Sequence, residues 1–91
     1  MEEKHSKIYI ISGRVQGVWY RKYTHDLALK LGIKGYVMNL EDGKVFCHAE
    51  ASPGILKMFE QALHRGSPLS NVEKIETSIE AFHGFGLFEI R

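Results

Sequence analysis

Apolar and polar positions along this chain repeat with two different periods, and the changes of period mark out its elements. "KIYIIS", Lys7 to Ser12, is β-branched and aromatic and stops at Gly13, which predicts a buried strand. From Val18 or Trp19 to Leu31 the period lengthens. Tyr20, Tyr23, Leu27, Ala28 and Leu31 then fall on one helical face, and Gly32 follows as a stop. "KGYVMNL", Lys34 to Leu40, predicts a second strand, and "EDG" at 41 to 43 turns it into a third, "KVFCHAEA". In that third strand Val45, Cys47, Ala49 and Ala51 line one face, while Phe46, His48 and Glu50 line the other.

Ser52-Pro53 reads as a helix start, a capping side chain followed by proline at the first helical position. Ile55, Met58, Phe59, Ala62 and Leu63 form the stripe expected to face the core, Met58 included, and Gly66 closes the helix. "GSPLSN" is a loop, "VEKIETSIE" predicts a fourth strand, and "LFEIR" a short extra one. The order is βαββαβ plus a C-terminal strand. It predicts an α+β, ferredoxin-like sandwich in a single domain over residues 1–91, with a four-stranded antiparallel sheet and both helices on one face. Such a fold hosts many functions, so function must be sought in particular residues.

Composition narrows the classes. Of 91 residues 44% are hydrophobic and 25% charged, ordinary globular values. Twelve basic residues against 11 acidic ones leave +1, without the clustered excess that nucleic acid or an anionic membrane surface attracts. No apolar run is long enough to span a bilayer, and "MEEKHSK" does not read as a signal peptide. A lone Cys47 has no internal disulfide partner. A cytoplasmic location, a monomer, and an inert Cys47 in the core are the expectations. The histidines, at 5, 25, 48, 64 and 83, show no H-x3-H pair and there is one cysteine, so no metal site is predicted. His25 and Arg14 are expected at the surface.

The stretch with chemical content is "SGRVQGVWYR", Ser12 to Arg21, between the first strand and the first helix. Gly13 and Gly17 permit a sharp turn that points successive N–H groups into one concavity, a nest for an anion. That nest lies at a helix N-terminus, where free N–H groups and the dipole favour negative charge. Arg21, in the first turn, adds a planar cationic fork. Better-known phosphate loops are excluded. Val18 stands after Gly17 where a Walker A loop has lysine, Val15 replaces the cysteine of a C-x5-R loop, and no G-x-G-x-x-G occurs.

"GRVQGVWYR" and, further on, "GYVMNLEDGKV" together closely resemble the two signature segments of acylphosphatases. The first signature leaves the position of Trp19 free and ends aromatic-arginine, here Tyr20-Arg21. The second places an asparagine four residues before a turn glycine, here Asn39 and Gly43, with Val45 beyond. Two departures stand out: Tyr20 where phenylalanine or methionine is commoner, and Ala51 where the segment usually ends in glycine.

The resemblance implies that the backbone of Gln16, Gly17, Val18, Trp19 and Tyr20 cradles a phosphate with Arg21, and that Asn39 orients an attacking water. The implied reaction is hydrolysis of an acyl phosphate to a carboxylate and inorganic phosphate without metal or cofactor, the phosphate product competing with substrate. A non-catalytic ferredoxin-like ligand-binding module is the alternative class.

Overall fold

The computed structural model describes residues 3–91. The elements follow the predicted order: β1 (His5–Arg14), α1 (Tyr20–Leu31), β2 (Lys34–Asn39), β3 (Val45–Ala51), α2 (Pro53–Arg65), β4 (Asn71–Glu80) and β5 (Phe88–Ile90). The sheet runs β4-β1-β3-β2-β5. Neighbours in β4-β1-β3-β2 are antiparallel, whereas β5 joins β2 in parallel. The ferredoxin-like α+β expectation holds, but the sheet has five strands and is mixed, not four-stranded and antiparallel. The last strand reaches the sheet because Gly35 N–H donates to the Leu87 carbonyl at 2.9 Å and Arg91 N–H to that of Val37 at 2.8 Å.

Alternation in β1 and β3 buries one face of the sheet. Tyr9 and Ile11 pair with Cys47 and Val45, and all four are fully buried beneath Ala28 of α1 and Leu56, Phe59 and Leu63 of α2. Burying such side chains contributes about 1.5–3 kcal/mol each and drives the helices onto this face. The α2 stripe differs from expectation: Leu56 is in the core, while Met58 is 53% exposed. Leu56, Phe59 and Leu63 keep the three-then-four spacing, which turns Met58 to water. Ser52 makes no side-chain cap bond to α2 either, so Pro53 opens the helix alone. Helix α1 starts at Tyr20, since Trp19 before it has a left-handed backbone. Among the described residues no helix is long and apolar enough to cross a membrane.

Strand alternation sends Phe46, His48 and Glu50 to the opposite face of β3, as the sequence predicts. Yet His48 and Glu50 are each only 3% exposed, because the segment after β4 folds back over them. Both Glu50 carboxylate oxygens accept backbone N–H bonds, from His83 (2.6 Å), Gly84 (2.9 Å) and Phe85 (3.1 Å). His48 Nε2 lies 2.7 Å from Ser6 Oγ, and its ring packs edge-on against those of His83 and Phe85. Histidines dispersed in sequence are thus gathered in space: ligand atoms of His48, Glu50 and His83 lie within 4.8 Å of one another. With the carboxylate already engaged by three amides, Glu50 acts as a clasp for the 83–85 segment.

Burial opposes charge on Glu50, but the N–H groups of His83 and Phe85, with Ser6 and Gly84, outweigh it and hold the carboxyl below its ordinary value. Burial, reinforced by His83 and resisted by Glu50 and Glu80, holds the His48 imidazole below its ordinary value of 6.5. Both shifts have the same sign for stability. The His48 contribution is complete above about pH 6.5 and declines as the unfolded chain takes up a proton that the fold refuses. The Glu50 contribution is complete above the ordinary carboxylate range and is lost as pH falls through the folded value. Unfolding free energy should therefore begin to drop below about pH 6.5. Glu50→Ala should cost about 2–3 kcal/mol at pH 7 in denaturant titrations, by stranding three amides. A loss under half a kcal/mol would show that the clasp is not needed.

Candidate active site

The connection between β1 and α1 is built inside out. Val15 and Val18 are 1% and 5% exposed and anchor the loop in the core, which leaves its main chain facing solvent. The chain enters through a bulge at Ser12/Gly13, where Gly13 has φ 125° and a Cβ would run into the Asn71 carbonyl. Gly17 then takes φ 73° and Trp19 φ 65°. Glycine adopts such a backbone freely, but for tryptophan it costs about 1–2 kcal/mol. Two left-handed residues within three reverse the chain tightly enough to start α1 at Tyr20.

That helix begins without a side-chain cap and without an acidic residue in its first turn. Among the described residues, the N–H groups of Gln16 to Tyr20 donate to no protein acceptor. Orphan amides at a positive helix end make a site for an anion. The adjoining hollow encloses about 650 Å3 and is lined by Gly17, Trp19, Tyr20, Arg21, Asn39 and Ile90, among others. Of the residues singled out from the sequence, Gly17, Trp19, Tyr20, Arg21 and Asn39 therefore come together there.

Gln16 and Val18 do not present their side chains to the hollow. Val18 is core, and its carbonyl accepts from Ser67 Oγ at 2.9 Å. The Gln16 amide Nε2 donates to the carbonyls of Leu40 and Lys44, each at 2.8 Å, and thereby ties the loop to the β2–β3 hairpin. Asn39, the exposed last residue of β2, is held opposite the loop by that tie. Tyr20 is 1% exposed, and its hydroxyl donates to the Leu63 carbonyl at 2.8 Å. Burial, with Cys47 and Tyr23 nearby, pushes this hydroxyl well above the ordinary tyrosine value, so it remains a donor. Arg21 Nη1 donates to the Arg91 carbonyl at 3.1 Å, just past β5, which orients the guanidinium.

His25 departs from its expected surface position. Its ring packs against Phe88 and lines the hollow. Arg14 is exposed, as expected. Cys47 is fully buried and its thiol pushed up by burial, which keeps it protonated and inert. The side-chain role of Gln16 and the reach of Arg91 and Ile90 were not read from the sequence. A glutamine between loop glycines carries two N–H donors, the only signal of the first; the second depends on how β5 pairs, which local pattern does not set.

Comparison with known proteins decides the kinship. The acylphosphatase family model matches residues 7–90. The chain belongs to the acylphosphatase family. Its sequence is 46% identical over 80 residues to the acylphosphatase of Pseudothermotoga lettingae, covering 88% of this chain and 90% of that protein. It is 42% identical over 78 residues to that of Thermotoga maritima, covering 82% and 87%. In structure it resembles the acylphosphatase of Bacillus subtilis with a TM-score of 0.94 at 34% identity, over 96% of this chain and 98% of that one. Membership thus spans both signature segments and the strands that hold them.

The tie from Gln16 is testable without any assay of turnover. Gln16→Ala removes the side-chain donor from the partly buried carbonyls of Leu40 and Lys44, each of which keeps one backbone N–H, and should cost about 1 kcal/mol. Amide hydrogen exchange in residues 39–44 should quicken in the same variant. Unchanged exchange there would mean that the hairpin holds its place by other contacts.

Proposed function

We propose that this chain hydrolyses acyl phosphates to a carboxylate and inorganic phosphate, by direct attack of water on phosphorus. The observation that carries the proposal is the run of unpaired amides ahead of α1, opening on the same hollow as Arg21 and Asn39.

In this mechanism the N–H groups of Gln16, Gly17, Val18, Trp19 and Tyr20 hold the phosphoryl oxygens, and Arg21 supplies the compensating positive charge. Charge in the transition state is spread over three equatorial oxygens of a loose phosphoryl group. Fixed donors aimed at those oxygens stabilise it without reorganising. Asn39 accepts a hydrogen bond from water through its amide oxygen and aligns it opposite the departing oxygen. The P–O bond to the acyl group breaks as the water oxygen bonds to phosphorus, and the bonding pair leaves with the carboxylate. Its conjugate acid has a pKa of about 4, so it departs as an anion and needs no general acid. One proton of the water passes to a phosphoryl oxygen and the other stays on the oxygen newly bonded to phosphorus, so the product leaves as dihydrogen phosphate. Neither a metal nor a covalent nucleophile enters.

Inorganic phosphate occupies the same amides and competes with substrate. The lone unpaired Cys47 supports a reducing, cytoplasmic setting, in which the chain acts as a monomer.

Two substitutions separate the roles. Arg21→Ala should keep the fold and lower kcat/KM for benzoyl phosphate by about two to three powers of ten, the scale of a lost oxyanion donor. Near-normal turnover would remove Arg21 from the mechanism. Asn39→Ala should lose kcat to a similar degree while inorganic phosphate still binds. A variant that lost phosphate affinity but kept kcat would contradict the water-orienting role.

A further inference from the structure

Trp19 is the chain's sole tryptophan, and its placement is not explained by the turn it occupies. Its backbone is left-handed, a conformation that glycine would hold without strain, and Gly17 does so two residues earlier. Packing gives nothing in return. The residue is 73% exposed, and among the described residues its indole stacks on no other ring. Strain retained without a packing return points to function at that position.

Trp19 lines the hollow on which the orphan amides open, and also a shallower one beside Ser67 and Pro68. At about 650 Å3 the first hollow has the volume of a small-molecule site and far exceeds a phosphoryl group. Beyond the amides its walls include Trp19 and Ile90, the latter 45% exposed, with His25 at the margin. Charge in this part is already paired: Lys22 Nζ lies 3.2 Å from Asp26 Oδ2. Arg21 is committed to the phosphoryl end. The remaining space thus offers a broad aromatic face and an aliphatic side chain, with no spare cation for an acidic acyl group.

Building on the acyl phosphate activity proposed above, we infer that this space is an acyl-binding subsite, and that Trp19 is the platform on which a flat, uncharged, aromatic acyl group stacks. Trp19 thereby has two parts: its amide joins the anion cradle, while its indole sets acyl preference. The second part belongs to this chain's side chain and not to the loop backbone.

The test is the ratio of kcat/KM for benzoyl phosphate to that for acetyl phosphate, in the unaltered chain, Trp19→Gly and Trp19→Phe. Glycine suits the backbone at this position, so folding is preserved, and any change in the cradle affects both substrates alike. The ratio should fall about five- to tenfold in Trp19→Gly, through KM for benzoyl phosphate, and Trp19→Phe should restore most of it. Phenylphosphonate, which is not turned over, should saturably quench the emission of this one tryptophan. A ratio within twofold of the original in Trp19→Gly, or a flat phenylphosphonate titration, overturns the platform and leaves the hydrolysis standing. Failure of the unaltered chain to cleave either substrate overturns both.

Discussion

The constraint on which the rest depends is conformational. Between β1 and α1 the main chain takes left-handed values at Gly17 and Trp19, while Val15 and Val18 are held in the core. Side chains facing inward and a chain that reverses twice leave the amides no direction but outward. The proposed anion cradle is not made of polar side chains added to a surface. It follows from how a strand must bend to feed a helix across five residues. The dipole of α1, uncapped and free of acid in its first turn, then reinforces what the turn presents.

A site made from main chain has few side chains to lose, and those few are held from a distance. Arg21 is steadied by the Arg91 carbonyl beyond β5, and Tyr20 by the Leu63 carbonyl at the end of α2. The loop carbonyl of Val18 is held by Ser67. Strands and helices remote in sequence thus converge on one short segment. The ferredoxin-like sheet serves the chemistry by bringing the β2 end, the β5 end and the α1 start to the same side. On its other face the Glu50 clasp closes the molecule with hydrogen bonds instead of apolar burial.

Much of this was legible in the sequence, for physical reasons that also explain the gaps. Strands β1 to β3 and both helices announce themselves by period, because one face of each is buried and the other wet. The loop announces itself through Gly13, Gly17 and Arg21, and Asn39 through the second signature segment. Misplaced were features that depend on partners far along the chain. Met58 fits the helical stripe as well as Leu56 does, and only the tilt of α2 on the sheet decides between them. His48 and Glu50 alternate outward as strand geometry demands, but nothing local reveals that residues 83–85 return to cover them. Parallel addition of β5 to β2 has no pattern of its own in three residues. The Gln16 backbone was read as part of the phosphate loop, but nothing local shows that its side-chain donors reach 24 and 28 residues ahead.

That carboxamide has a further consequence. It spans the carbonyls of Leu40 and Lys44, on either side of a turn closed by Leu40 N–H to the Lys44 carbonyl at 2.8 Å. The gap it bridges is therefore a measure of hairpin length. One residue more or fewer between positions 40 and 44 would move an acceptor out of reach and shift Asn39 relative to the loop. Surface hairpins ordinarily drift in length with little penalty. This one is gauged by a side chain from another element, so its size is dictated by chemistry in which none of its tip residues takes part.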